Sequence, residues 1–238
     1  MAIAYVNSAI SANADGTSST TISSSAGIAV SAGNVLVVGV RSAINPLTSA
    51  TVITDTAGNT FHFLGNEAST AYWYAYNVIA NASDIITATF PSSTTYRELI
   101  VGQYSGLDPN PLDATAMGIT PSSTTPTTSS FSTIQPNEVI VCVLDVEVGS
   151  TTWTAGSGYT IRNQTGDHIL MLQDKIVSSI QTGVTASATN SDSANYKMIL
   201  AATFWDQYPW MGGFEDIAGK NPGGNVQMYH KKTYEIGI

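Results

Sequence analysis

The apolar segment NVLVVGV, at Asn34–Val40, begins a pattern of short segments that extends to Leu107. Four further segments follow it: DTAGNT (Asp55–Thr60), YWYAYNVI (Tyr72–Ile79), TATF (Thr87–Phe90) and YRELIVGQY (Tyr96–Tyr104). Short apolar or alternating runs, separated by turn residues roughly every ten positions, are typical of β-strands. Because no helical periodicity longer than about two turns precedes residue 207, the sequence predicts an all-β protein.

The same order of segments returns about a hundred residues later, as expected for an internal repeat. The second set reads NEVIVCV (Asn137–Val143), GSGYT (Gly156–Thr160), ILMLQDKI (Ile169–Ile176), TASAT (Thr185–Thr189) and YKMILAATF (Tyr196–Phe204). Asn34 aligns with Asn137, Val78 with Ile176 and Tyr96 with Tyr196, at offsets of 103, 98 and 100 residues. We interpret this pattern as a tandem duplication of one all-β unit.

The repeat predicts two tandem, internally duplicated β-sandwich units of jelly-roll-like architecture, residues 1–108 and 109–206. The boundary is placed in LDPNPLD (Leu107–Asp113), whose two prolines are turn signals. NASD (Asn81–Asp84) is predicted as a turn and the first PSSTT segment (Pro91–Thr95) as a loop. A hairpin with a tight turn at Asp55–Asn59 is predicted in TVITDTAGNTFHFLG.

Residues 207–238 have no counterpart in the first unit and predict a C-terminal extended arm. The segment is too rich in glycine for a long helix and too rich in aromatic residues for a free disordered tail. It either binds a partner chain through its aromatic side chains or folds back on its own domain. The candidate partner-binding residues are Tyr208, Trp210, Phe214, Tyr229 and Tyr234.

Composition restricts the functions that the chain can have. Its 238 residues are 43% hydrophobic and 11% charged, with a net charge of −9, which does not fit a disordered chain. The few Lys and Arg argue against a nucleic-acid partner. The N-terminal MAIAYV lacks the basic region of a signal peptide, and no apolar run is long enough for a membrane-spanning helix. We therefore expect no nucleic-acid partner and no membrane insertion.

Metal and cofactor signals are weak, and no cofactor is expected. His62, His168 and His230 are far apart and belong to no ligand motif. The one cysteine, Cys142, is predicted to be a small buried side chain.

Calcium remains an open possibility for the acidic loops. Asp55 with Asn59, and Asp167 with Asp174 or Asp192, would supply oxygen ligands if they met in loops. The alternative is that these side chains shape turns by accepting backbone hydrogen bonds.

No catalytic residue is predicted. The chain has no nucleophile-elbow motif. Glu98, Glu138, Asp145 and Glu147 lie on predicted strands, and Asp145 and Glu147 share a strand face. Such a pair resembles the two acids of a glycosidase, but a solvated strand face is the favoured interpretation.

Aromatic residues give a second candidate site. Five of them would form a platform for stacking sugar rings: Tyr72, Trp73, Tyr74, Tyr76 and Trp153. Core and cross-strand packing is the favoured alternative.

Three segments carry a resemblance to a known class of proteins. The TDTAGNTF turn, the YAYNV strand and YRELIVGQYSGLDPNPLD, together within residues 34–145, resemble Ser/Thr-rich β-sandwich proteins of tailed-phage particles and bacterial surfaces. The resemblance implies a jelly-roll-like sandwich with a structural or adhesive role, and it carries no functional residues over.

The sequence thus predicts a non-enzymatic virion structural protein, such as a capsid decoration, head-fibre or tail-associated protein. It would assemble in the host cytoplasm with other virion proteins or copies of itself, and leave by lysis. The alternative is a carbohydrate-binding module or adhesin, extracellular or at the cell surface, with aromatic and Asp-bearing loops that bind glycans. A polysaccharide hydrolase is a third hypothesis.

Overall fold

The fold is described from a computed structural model that covers residues 2–11, 16–147, 149, 151–167 and 169–207. Within these residues every regular element is a β-strand, and the strands pair in antiparallel fashion. The all-β prediction is confirmed.

Seventeen strands are formed by the described residues. The first ten are β1 (Ala4–Ile10), β2 (Ser19–Ser23), β3 (Ile28–Val30), β4 (Val35–Arg41), β5 (Val52–Asp55), β6 (His62–Glu67), β7 (Thr70–Ala75), β8 (Asn81–Asp84), β9 (Ile86–Thr94) and β10 (Glu98–Ser105). The remaining seven are β11 (Leu107–Thr120), β12 (Glu138–Val146), β13 (Trp153–Ala155), β14 (Thr160–Gln164), β15 (Leu170–Val177), β16 (Ala188–Asn190) and β17 (Lys197–Asp206).

Two five-stranded sheets form the centre of the molecule. The first large sheet has the order β1-β10-β4-β7-β6, and the second has the order β11-β17-β12-β15-β14. The central strands β4 and β12 are buried at every residue. Apart from Arg41 in β4 and Glu138 and Asp145 in β12, their sequences are apolar, which fits strands whose two faces are both covered. Smaller sheets β2-β9-β5, β3-β8 and β13-β16 complete the structure.

The sheets form four layers with three apolar cores between them. Alternate residues of β4 point to opposite faces, as in any strand. Leu36 faces a core shared with Ile86 of the small sheets, whereas Val37 faces a middle core shared with Val141 of the second large sheet. A third core lies between the second large sheet and β13-β16. The two large sheets therefore pack face to face.

Strand pairing is equivalent in the two large sheets. Gly39 lies opposite Ile100 in β10 and Tyr72 in β7. Val143, 104 residues later, lies opposite Leu200 in β17 and Leu172 in β15.

The edge strands of the two sheets also correspond. The pairing of β6 with β7 shifts between Phe63 and Gly65, and the pairing of β14 with β15 shifts between Ile161 and Asn163. Both irregularities occur at the same place relative to the neighbouring strand, opposite Tyr72 in one sheet and Leu172 in the other.

The pairings correct two of the offsets read from the sequence. A shift of 103 would match Val37 with Ile140, but Val37 faces the middle core and Ile140 faces the third core. The strand pairing matches Val37 with Val141, a shift of 104. In β7 and β15 the shift is 100, not 98. Such an alignment error is not visible in the sequence, because the residues on both faces of a buried strand are similarly apolar.

Two glycines of the first large sheet leave no room for a side chain against the second sheet. A Cβ on Gly39 would lie 2.5 Å from Val143 Cγ1, and a Cβ on Gly102 would lie 2.6 Å from Leu172 Cδ2. Both distances are far below van der Waals contact, so glycine sets the spacing of the layers at these points.

Several predicted loops and turns are wrong. The Asp55–Asn59 turn connects β5 to β6, but these strands belong to different sheets, so no hairpin forms. NASD is strand β8, paired with β3, and most of PSSTT lies in β9. LDPNPLD lies in β11, whose pairing is irregular between Leu107 and Leu112. Tertiary pairing overrides the local turn preference of these residues.

The prediction for Cys142 is confirmed, because its side chain is buried in β12. Burial raises the pKa of the Cys142 thiol to about 12, as expected for an inert core residue. The predicted arm, with Tyr208, Trp210, Phe214, Tyr229 and Tyr234, lies outside the described residues, as do His168 and His230.

Candidate functional site

An open groove of about 390 Å³ lies at one end of the first large sheet. Its lining combines aromatic, amide and hydroxyl side chains with little charge. The residues that line it are Gly58, Asn59, Thr60, His62, Tyr76, Asn77 and Ile79. They come from the turn after β5, from the start of β6, and from the segment that follows β7.

Three aromatic rings form a cluster beside this groove. His62 pairs with Tyr74 across β6 and β7, and the two ring centroids are 5.4 Å apart. The His62 ring also stacks on Tyr76, with a centroid distance of 5.1 Å and an interplanar angle of 21°. Tyr74 and Tyr76 stack on each other at 5.7 Å. His62 is exposed and Tyr76 is half-buried, so the cluster offers ring surface to solvent.

The buried end of the cluster is anchored in the middle core. The Tyr74 ring lies 5.6 Å from that of Phe204 in β17, and Tyr74 is buried. Burial, with a smaller contribution from Tyr76, raises the pKa of Tyr74. The rings at the groove are therefore held by the two large sheets together.

The opposite wall of the groove is a turn fixed by its own polar side chains. Asp55 Oδ1 accepts hydrogen bonds from the backbone N–H groups of Gly58 (2.7 Å) and Asn59 (2.8 Å). Asn59 donates from Nδ2 to Asp55 Oδ2 at 2.6 Å and accepts from the Ile79 N–H at 2.7 Å. This turn is thereby tied to the segment that follows β7.

Asp84 stabilises the same turn by accepting hydrogen bonds from it. Its Oδ1 accepts from the Thr56 N–H, the Thr56 hydroxyl (2.7 Å) and the Ala57 N–H. Burial raises the pKa of Asp84; the hydrogen bond from Thr56 opposes this rise, and the nearby Asp55 carboxylate adds to it. Asp84 is thus a buried side chain that fixes the backbone of this turn.

Of the residues considered for calcium, Asp55 and Asn59 meet in one turn, whereas Asp167, Asp174 and Asp192 contact other residues. Both carboxylate oxygens of Asp55 accept hydrogen bonds from N–H groups, as expected for a side chain that shapes a turn. Asp174 binds Arg162, Asp192 binds Lys197, and Asp167 accepts from Thr165. Within the described part of the chain, no group of three or more His, Cys, Asp or Glu is placed to hold a metal ion.

The predicted aromatic platform is only partly formed. Tyr72, Trp73 and Trp153 are buried in the cores, so for them the packing alternative is correct. Tyr74 is also buried, and Tyr76 alone of the five lines the groove. Sequence reasoning missed the role of His62, which contacts Tyr76 through cross-strand pairing with Tyr74, a relation the sequence does not show.

The strand carboxylates lie away from the groove. Glu98, Glu138 and Asp145 are fully buried, so the expected solvated face is wrong for Asp145, whereas Glu147 is exposed. A strand in the middle of a four-layer stack has no solvated face, which explains the difference.

Two of these buried carboxylates link the large sheets. Asp145 forms an ion pair with Arg41, with 3.2 Å between Oδ1 and Nε, and accepts a hydrogen bond from the Thr70 hydroxyl. The Thr165 hydroxyl donates to Glu98 Oε2 at 2.7 Å. Burial raises the pKa of Glu98 to about 8 and that of Asp145 to about 6, against the opposing charge of Arg41.

A second set of polar contacts joins the edges of the sheets. The guanidinium of Arg162 in β14 lies 4.6 Å above the Tyr5 ring of β1 and binds Asp174. Asn163 Nδ2 donates to the Ser8 hydroxyl at 2.9 Å. The edge strand of one large sheet thus contacts the edge strand of the other.

A comparison with protein-family models gives no match, and comparisons with the curated proteins and with the solved structures give none either. Among the described residues, no helix has the length and apolar character needed to cross a membrane. The function of this chain is therefore inferred from its geometry.

Proposed function

We propose that the protein is a non-enzymatic structural component of a virus particle, which acts by attachment and assembly as a capsid decoration, head-fibre or tail-associated protein. The observation that carries this proposal is the polar linkage between the two large sheets. Arg41 with Asp145, and Glu98 with Thr165, connect the halves inside the molecule. Such links favour a single rigid body, which suits a protein whose role is mechanical.

We further propose that the halves derive from one duplicated jelly-roll-like sandwich unit. The common strand order of the large sheets supports this origin. So does the shared position of the pairing shift next to Gly65 and Asn163. A bulge is a specific local feature that is retained when a strand is copied.

In this proposal the partners are other virion proteins or further copies of the chain. The site of action is the virion, assembled in the host cytoplasm. Weak contacts, repeated in a symmetric array, add up to stable attachment. The aromatic segment 207–238 is the proposed anchor to a neighbour, by burial of rings and by strand addition.

Assembly state and particle labelling test this proposal. We would compare the full chain with a chain that ends at Gln207, using size-exclusion chromatography with light scattering and electron microscopy. We expect the full chain to form oligomers or to label virus particles from the source culture, and the shortened chain to lose this behaviour. A full chain that is strictly monomeric and labels no particle would contradict the proposal.

A carbohydrate-binding or adhesin role is the second candidate function, and the groove at His62 and Tyr76 favours it. Exposed aromatic rings beside amide and hydroxyl groups are the usual means of binding sugars in water. This role is compatible with the first, because a particle protein that binds host glycans would have both. Without the groove, nothing in the described residues would favour this candidate over the first.

A further inference from the structure

We propose that the groove binds a neutral saccharide, with one sugar ring packed against the rings of His62 and Tyr76. This inference rests on the second candidate function and is independent of the particle role. It assigns a ligand class and a specific site to a general expectation of glycan binding.

The aromatic wall has the surface that such a ligand needs. The C–H groups on one face of a pyranose ring pack on an aromatic face, which carries negative charge density. His62 is exposed, Tyr76 is half-buried, and their rings stack within 5.1 Å of each other. Because Tyr74 and Phe204 continue the contact into the middle core, this wall is already ordered before a ligand arrives.

The polar groups of the groove fit hydroxyls better than charged ligands. Thr60 and Asn77 line the groove, are exposed, and make no hydrogen bond to another described residue. Asn77 has a left-handed backbone, with φ of 49°, a conformation that asparagine tolerates better than most residues. Asp55 has both oxygens occupied by N–H donors. The groove therefore offers neutral donors and acceptors.

The size and rigidity of the groove also fit a small ligand. Its volume of about 390 Å³ lies within the range of small-molecule sites, about 300–1,000 Å³. Asn59 fixes the far wall by binding both Asp55 and the backbone of Ile79. A wall that is already hydrogen-bonded loses little conformational entropy when a ligand binds.

The second large sheet provides an internal comparison. Its pairing places Thr160 opposite Asp174, as His62 lies opposite Tyr74 in the first sheet. Ile176, 49% exposed, is the first residue after Lys175, which corresponds to Ala75. Thr160, Asp174 and Ile176 thus stand in the second sheet where the first sheet has three aromatic residues, and the backbone pairing is the same. The aromatic cluster is consequently not required by the strand geometry, and a binding role accounts for it.

The test starts from the full-length chain on an array of neutral and acidic oligosaccharides, in calcium and in EDTA. The best neutral oligosaccharide is then titrated by calorimetry into the wild-type chain and into His62→Thr/Tyr76→Ile, which introduces the residue types of the second sheet. We expect binding in both buffers, and a loss of affinity of about tenfold or more in the variant. The matched control, Ile176→Ala, should bind like the wild type.

A second pair of substitutions protects the test against misfolding. Thr60→Ala and Asn77→Gly change exposed groups of the groove and leave the aromatic cluster in place; each should weaken binding several-fold. If folded variants bind as tightly as the wild type, the site is wrong although saccharide binding stands. If acidic oligosaccharides bind and neutral ones do not, the inference of a neutral ligand is overturned and the second candidate function stands. If no oligosaccharide binds at millimolar concentration, both the site and the second candidate function are overturned, while the particle role is unaffected.

Discussion

Arg41 and Asp145 occupy equivalent positions in β4 and β12, and their side chains meet between the large sheets, with 3.2 Å separating Nε from Oδ1. Arg41 lies opposite Glu98 of β10, and Asp145 lies opposite Met198 of β17. The two positions are equivalent in strand pairing and carry opposite charges, so the large sheets are joined by an ion pair at this point.

This ion pair gives the first prediction. Arg41→Met leaves the carboxylate of Asp145 buried without its cation, so the free energy of unfolding at neutral pH should fall by about 3–5 kcal/mol. The double variant Arg41→Met/Asp145→Asn removes the unpaired charge and should regain part of the loss. Urea denaturation of both single variants and the double variant measures the coupling. Strictly additive losses would show that the two side chains do not interact.

The second prediction concerns the close approach at Gly39. A Cβ there would lie 2.5 Å from Val143 Cγ1, so Gly39→Ala should lower the free energy of unfolding by about 1–3 kcal/mol. Val143→Ala in the same chain makes room, and the double variant should lose less than the sum of the single losses. Gly166→Ala is the control, since no atom lies within 4 Å of its added Cβ. Equal effects at Gly39 and Gly166 would contradict the packing argument.

The third prediction is a pH dependence of stability. Burial raises the pKa of Glu98 from its ordinary 4.5 to about 8, and that of Glu138 to about 8 with a contribution from the nearby Asp113. Between pH 4.5 and about 8 the folded state retains protons on these two glutamates that the unfolded state has released. The stability that these protons contribute is fully present below the unfolded pKa, near 4.5, and is lost as the pH rises to about 8.

The free energy of unfolding should therefore be lower at about pH 9 than at about pH 5 on account of these groups. Glu98→Gln cannot ionise, and its amide can still accept the hydrogen bond from Thr165. Denaturation curves across this range should give a shallower fall for Glu98→Gln than for the wild type. Parallel profiles for the two proteins would contradict the assignment to Glu98.

The fourth prediction concerns Arg97, which is buried and donates hydrogen bonds to Thr17, before β2, and to Thr21, within β2. Its guanidinium donates to the Thr17 carbonyl oxygen at 3.0 Å, to the Thr17 hydroxyl at 3.2 Å, and to the Thr21 carbonyl oxygen. A lysine keeps the charge but lacks the planar fork. Arg97→Lys should speed hydrogen exchange of the amides in residues 17–23 and leave β12 and β15 unchanged. Unaltered exchange in residues 17–23 would show that the fork does not hold this segment.

The sequence predicted the elements whose signal is local. The run from Val35 to Val40 is almost continuously apolar, as expected for a strand covered on both faces, and β4 is such a strand. The sequence also predicted the repeated order of strands. It did not predict the alignment shifts between the two sets correctly, because Leu36 and Val37 are both apolar yet face different cores. A hydrophobic pattern without alternation does not reveal which face a residue occupies.

Turns were predicted less well, because their side chains bind distant backbone. The Asp55–Asn59 sequence has the residues of a hairpin turn, but Asn59 binds the N–H of Ile79 and the chain passes to another sheet. The candidate site shows the same limit. His62 lies twelve residues before Tyr74 in sequence, and only strand pairing brings the two rings together.

Three features follow from the preferences of contiguous residues and can be predicted from the sequence: the all-β class, the apolar strand that becomes β4, and the burial of Cys142. Three others come from the tertiary structure alone: the face-to-face packing of the two large sheets, the burial of Asp145 against Arg41, and the contact of His62 with Tyr76 at a groove. Those features depend on contacts between residues far apart in the chain, which a local pattern does not encode.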